Sequence, residues 1–316
     1  MSNIEFQTSE AIRTEGLTKS FGPVEAVRQL DLAVGKGEMF GLVGPDGAGK
    51  STVIRLLCGI LKPTSSKAWV LGMDLEKESL LIKRHIGYLS QNFTLYGDLT
   101  VDENIEFFAN IHSVKNFAGR RGELLEFTRL LPFRNRLAGA LSGGMKKKLA
   151  LACTLIHTPK IIFLDEPSTG VDPLARGEFW NILSAVLEQG VTIFMTTPYL
   201  DEAERCRRIC LMHRGKAIMS GAPQEIKQSM PGSMYDLECA DAPLAYRLLR
   251  EKLPMESVVL YGDHIRLWTQ EGEEGARQAV EWLNEKKMGG VSVNGAQPSL
   301  EDAFVALLGR KEEGDA

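Results

Sequence analysis

Between a short apolar run, Met39 to Val43, and an amphipathic stretch from Lys50 to about Cys58, the chain reads GPDGAGKS (Gly44 to Ser51). No other eight residues limit the fold as severely. The spacing GxxxxGK[ST] between a strand and a helix turns backbone N–H groups inward around an anion, and glycine is required wherever a side chain would block that approach. Lys50 then supplies positive charge to the β and γ phosphates, the helix start adds its dipole, and the Ser51 hydroxyl is placed for Mg²⁺. The expected ligand is a nucleoside triphosphate held by Gly44, Pro45, Asp46, Gly47, Ala48, Gly49, Lys50, Ser51 and Thr52. A bare glycine turn is the alternative, and the strand–loop–helix context argues against it.

Two later segments gain meaning from this loop. In IIFLDE (Ile161 to Glu166) a buried-type strand ends in two carboxylates. Asp165 fits a carboxylate on the metal side with Ser51, and Glu166 fits a base that orients or deprotonates an attacking water. In LSGGMKKKLALA (Leu141 to Ala152), Ser142, Gly143 and Gly144 open an amphipathic helix whose free N–H groups suit an anion, or whose serine is a plain helix cap. Lys146 to Lys148 read as a solvated helix face rather than a phosphate clamp.

The coarse pattern places these motifs on an α/β frame. Apolar-rich runs Ala11 to Phe21 and Val24 to Val34 flank Gly22 and Pro23 as a hairpin-like opening, and buried strands recur at Ile161 to Leu164 and Thr192 to Thr196. Thr100 to Pro159 is mostly helical, so a helical subdomain at about 92–160 is inserted into a domain spanning 1–222. From residue 223 to 316 the order strand (Met234 to Cys239), helix, two strands turning at Gly262 and Asp263, helix, strand and a last helix predicts a ferredoxin-like βαββαβ domain with a helix added.

Composition narrows the remaining possibilities. At 316 residues, with 44% apolar and 25% charged residues, one large and one small globular domain are expected. A formal charge of −4, with no basic tract longer than three lysines, disfavours nucleic acid as a partner. The five cysteines are scattered without metal-like spacing and read as buried thiols in a reducing compartment. With no signal-like N-terminus and no apolar run of membrane-spanning length, the expected location is the cytoplasm, peripheral to a membrane only through a partner.

With the three motifs in this order, the chain resembles the ATP-binding subunits of ABC transporters over about Ile12 to Gly221, and is most similar to the cassettes of ABC-2 type exporters, the daunorubicin-exporter and multidrug-efflux group. That resemblance implies a P-loop NTPase cassette: a mixed RecA-like α/β core, an antiparallel β subdomain and a helical subdomain. It implies ATP and Mg²⁺ as ligands, a separate integral membrane permease, and a second cassette as partner in a homodimer or heterodimer. On matching positions, Phe21 resembles the aromatic that stacks on adenine, and Gln91 resembles the glutamine that senses Mg²⁺ and the γ-phosphate ahead of a loop that touches the permease. Asp172 resembles the aspartate that crosses the dimer interface, and Ser142 to Gly144 would serve ATP held by the other subunit. Each also has a bland reading: Phe21 as a strand-end cap, Gln91 as surface polarity, Asp172 as a helix start.

Two positions depart from the pattern. Asp46 stands where the family most often has asparagine, and Pro198 stands where it has a histidine that holds the γ-phosphate, the water and the glutamate in register. Proline has no side-chain donor or acceptor, so that role is lost, while its fixed backbone suits the end of a strand and the start of a helix. The expectation is an ATPase that drives export, slowed by about 10²- to 10³-fold if the missing contact resembles other preorganised donors. The alternative is a regulatory cassette that closes on ATP while a second cassette hydrolyses.

Overall fold

The computed structural model describes residues 9–92, 95–230, 232–254 and 257–314. The chain divides into two compact units, Met1–Ser220 and Gly221–Ala316.

In the first unit, β1 (Glu10–Phe21) and β2 (Val24–Gly35) form an antiparallel pair joined by a tight turn in which Gly22 has φ 58°. The chain then enters β3 (Met39–Val43) and α1 (Lys50–Leu57). Next, β4 (Ser65–Val70) and β5 (Met73–Asp74) complete a four-stranded sheet in the order β2-β1-β4-β5. After α2 (Ser79–Lys83) and β6 (Ile86–Leu89) come three helices, α3 (Val101–Ile111), α4 (Ala118–Phe127) and α5 (Gly143–Leu155). The alternating pattern resumes with β7 (Ile161–Asp165), α6 (Pro173–Glu188), β8 (Thr192–Thr197), α7 (Leu200–Ala203), β9 (Arg208–His213) and β10 (Lys216–Gly221). Six strands make one sheet in the order β10-β9-β3-β8-β7-β6, with β9 through β6 parallel.

The burial of β3, β7 and β8 explains their sequences. Every residue in these strands is buried, so they read as continuous apolar runs rather than alternating ones. Phe40 stacks on Phe194 at a centroid distance of 5.6 Å, and Phe163 packs on Phe194 at 5.7 Å. Parallel register brings the carboxyl ends of β3, β7 and β8 to one edge, pairing Val43 with Thr197 and Asp165 with Thr196. Ligands of open α/β sheets bind at such an edge. Within the helical segment, α3 starts on a capping box: Thr100 Oγ1 accepts from Glu103 N at 3.2 Å, and Glu103 accepts from Thr100 N at 2.7 Å.

The second unit contains α8 (Pro223–Gln228), β11 (Ser233–Glu238), α9 (Ala242–Arg250), β12 (Val258–Tyr261), β13 (His264–Thr269), α10 (Glu273–Glu285), β14 (Ser292–Ala296) and α11 (Leu300–Gly314). Its antiparallel sheet runs β12-β13-β11-β14, the ferredoxin-like order. Leu237, Ile265 and Leu267 face Ala245, Leu249 and Leu283 of the helices to form its core. The sequence pattern places β14 two residues early and omits α8, because a six-residue helix opened by proline has too few turns to show a period.

No helix among the described residues is long and apolar enough to cross a membrane. All five cysteines are free thiols; four are buried and Cys239 is half-buried. Burial pushes the Cys206 thiol up to about 12 and Cys153 higher still.

Candidate functional site

The loop between β3 and α1 is shaped by neighbours that leave no room for side chains. A Cβ on Gly44 would collide with the Met212 carbonyl, and Gly49, at φ 104°, lies as close to the Ala26 carbonyl. Gly49 is also the N-cap of α1 and provides no side-chain cap, so the first-turn amides remain available to an anion. Ala48 N bonds Pro45 O at 3.2 Å and Gly215 N bonds Ala48 O at 3.0 Å, tying the loop to β10's turn. Asp46 points outward from this loop, 93% exposed, with Oδ1 4.0 Å from Lys50 Nζ. Gly47 has open space around it, and Thr52 is half-buried on α1.

Lys50 is almost wholly buried, and its ammonium donates to Gly44 O at 2.8 Å and Pro45 O at 3.1 Å. It also forms an ion pair with Glu166 Oε1 at 3.3 Å. Ser51 Oγ donates to Asp165 Oδ1 at 2.9 Å, and Thr196 Oγ1 donates to the same oxygen at 2.7 Å. Asp165 Oδ2 is buried and has no hydrogen-bond partner among the described residues. Gln91 Nε2 donates to Glu166 Oε2 at 2.9 Å, and the Glu166 amide is held by Thr196 O and Oγ1, each at 3.1 Å. Glu166 has φ 48°, an uncommon conformation for a non-glycine residue. Five residues from three distant segments thus converge: Lys50, Ser51, Gln91, Asp165 and Glu166. Asp165 Oδ2 and Ser51 Oγ are hard oxygen donors, and an orphaned carboxylate oxygen beside them fits a divalent cation.

The remaining candidates lie elsewhere in the first unit. Phe21, at the end of β1, has a half-exposed ring with Lys19 Nζ 5.1 Å from its centroid. Ser142 is exposed and caps α5 by accepting from Met145 N at 3.3 Å; Asp172 is exposed and caps α6 by accepting from Ala175 N at 2.9 Å. Gly143 is exposed, whereas Gly144 is buried against Ala175, where any side chain would collide. Among the described residues, no hydrogen bond or ion pair joins Phe21, Ser142, Gly143, Gly144 or Asp172 to the Lys50–Glu166 group.

Two features escape the sequence reading. The lysine tract is not one solvated face: Lys146 is exposed, but Lys148 is buried and pairs with Glu178 at 2.8 Å, while Lys147 donates to Gln91 O at 3.2 Å. Consecutive helical residues point about 100° apart, so the three cations take three directions. Thr196 escapes the sequence because its role depends on β8 running parallel to β7, which sets it opposite Asp165. Pro198 is half-buried between Thr197 and Tyr199. Behind it, Glu202 is buried and accepts from Thr197 Oγ1 at 2.7 Å and from Ser168 Oγ, so the strand end survives the loss of a polar residue at 198. Residues 93 and 94, in the loop expected to meet a permease, lie outside the described residues.

The sheet order and the phosphate-type loop at its carboxyl edge define a P-loop NTPase of the cassette type. The ABC transporter family model matches residues 27–169. The chain is 41% identical over 305 residues to the probable multidrug ABC transporter ATP-binding protein YbhF of Escherichia coli, matching 94% of this chain and 52% of that protein. It therefore spans about half the length of that relative. It is also 35% identical over 312 residues to the daunorubicin/doxorubicin resistance ATP-binding protein DrrA of Streptomyces peucetius, matching 96% of this chain and 94% of that one. A nucleotide-free ATP-binding cassette from an ABC transporter superposes with a TM-score of 0.64 at 27% identity, over 69% of this chain and 94% of that one. The chain belongs to the ATP-binding proteins of ABC transporters.

Proposed function

We propose that this protein binds and hydrolyses ATP to power export through a separate membrane permease of ABC-2 type, working as a pair of cassettes. The observation that carries this reading is the convergence of Lys50, Ser51, Gln91, Asp165 and Glu166 at the carboxyl edge of the sheet. Lys50 and the α1 amides bind and orient the triphosphate. Ser51 and Asp165 would hold Mg²⁺, which when bound neutralises charge on the phosphate oxygens. Glu166, steered by Gln91, orients the attacking water and takes its proton, and Lys50 stabilises charge on the transferred group. Phe21 offers an exposed ring for adenine. Ser142, Gly143 and Asp172 present an exposed face, with Leu174 80% exposed beside them, suited to a second cassette. A relative solved as a dimer bound to ADP and phosphate, at TM-score 0.61 and 26% identity over 67% of this chain and 98% of that one, supports the paired arrangement. Export is favoured by the multidrug and daunorubicin resistance names of the relatives.

A second reading, a slow regulatory cassette, is favoured by Pro198 alone. ATP turnover of the purified protein, compared with Glu166→Gln and Pro198→His variants, separates the two. Wild-type turnover that Glu166→Gln abolishes supports the hydrolase, whereas turnover seen only in Pro198→His overturns it.

A further inference from the structure

We infer that Lys147 is a positioning residue, whose ammonium on α5 fixes the backbone of Gln91 and thereby the orientation of the Glu166 carboxylate. The kinetic consequence rests on the hydrolase reading above; the anchoring itself does not.

Lys147 stands apart from its neighbours. It is half-buried, and its Nζ donates to Gln91 O at 3.2 Å, across 56 residues of sequence. Burial pulls its pKa below the usual lysine value, while the fields of Asp165 and Glu166 work in the opposite direction. An ammonium gives up hydration only where something replaces it, and here the Gln91 carbonyl does so, in the field of Asp165 and Glu166. The carbonyl is that of the residue whose side chain holds Glu166: Gln91 Nε2 donates to Glu166 Oε2 at 2.9 Å. Fixing the main chain of Gln91 fixes the origin from which its amide reaches the carboxylate.

The rest of the site makes this anchor consequential. Pro198 provides no donor, so among the described residues the Glu166 carboxylate is oriented by Gln91 and Lys50. Lys50 is the group a triphosphate would claim, which leaves Gln91 as the holder that remains. α5 packs on β6, the strand that delivers Gln91, and Lys148 one residue further on is locked to Glu178 of α6 at 2.8 Å. Lys147 therefore projects from a helix already fixed on its other side. A shift of about 1 Å in such a supporting group is enough to cost about 10²-fold in rate.

The test uses the full chain with Lys147→Met and Lys147→Arg. In steady-state ATP turnover with Mg²⁺, Lys147→Met lowers kcat by about 10- to 100-fold with KM within about three-fold, and Lys147→Arg restores kcat to within about three-fold of wild type. In hydrogen exchange of the nucleotide-free protein, Lys147→Met speeds exchange at residues 86–92 by about five-fold or more, Lys147→Arg does not, and α1 is unchanged. The inference is overturned if Lys147→Met keeps wild-type exchange at residues 86–92. It is equally overturned if exchange in α1 and β7 rises along with it, or if kcat falls no further than KM changes. Absence of wild-type turnover would remove the hydrolase reading, and the exchange measurement would still decide the anchor.

Discussion

Replacing Glu166 with glutamine should tighten the binding of a non-hydrolysable ATP analogue by about ten-fold. In the structure the Lys50 ammonium, 3% exposed, is paired at 3.3 Å with a Glu166 side chain that is 8% exposed. A bound triphosphate takes Lys50 for itself, so binding must first dissolve this pair. Removing one partner of a buried pair typically costs about 3–5 kcal/mol. Lys50 keeps its bonds to Gly44 O and Pro45 O, and glutamine retains a side-chain oxygen, which reduces the cost here to about 1–2 kcal/mol. That cost falls on the empty protein, because phosphate replaces Glu166 as the partner in the complex, and at about 1.4 kcal/mol per decade it returns as roughly ten-fold tighter binding. Calorimetric titration with the analogue and Mg²⁺ measures it, and thermal melting of the empty variant should show the matching loss of stability. Unchanged or weaker affinity in Glu166→Gln, with a normal melting curve, would refute this account of the ion pair.

Gly144→Ala should destabilise the first unit by about 1–3 kcal/mol in a thermal or urea melt, because its new methyl meets the Ala175 Cβ; adding Ala175→Gly should recover most of the loss. Acidification should weaken the fold through His157. Its Nε2 can only donate to the Ile86 carbonyl at 2.9 Å, its Nδ1 is buried without a partner among the described residues, and its ring stacks on His112 at 3.8 Å. Burial first, then the neighbouring charges of His112 and His85, depress its pKa from 6.5 to about 4. Between those values the unfolded chain takes up a proton that the folded chain refuses, so stability is full above pH 6.5 and falls toward pH 4. Between pH 7 and pH 5.5, urea unfolding should show wild type losing about 1 kcal/mol more than His157→Gln, and equal losses would reject the assignment.

The phosphate loop, the β7 carboxylates and the order of the second unit's strands were legible because each rests on local chemistry. GPDGAGKS works only between a strand and a helix, IIFL ahead of the two carboxylates is apolar throughout because its strand is covered on both faces, and period-two and helical runs mark βαββαβ with edges off by up to three residues. Thr196, the separate fates of Lys146, Lys147 and Lys148, and the burial of Gly144 were not legible. Each depends on what a neighbouring element places opposite, and an amphipathic pattern does not identify that neighbour. By itself the sequence determined which residues could hold phosphate, metal and water, since those roles require particular side chains in a particular local frame. Only the tertiary structure decided that Gln91, Asp165, Glu166, Lys50 and Ser51 meet, because parallel strand register and the packing of α5 on β6 set distances between residues as far apart in sequence as Lys50 and Glu166.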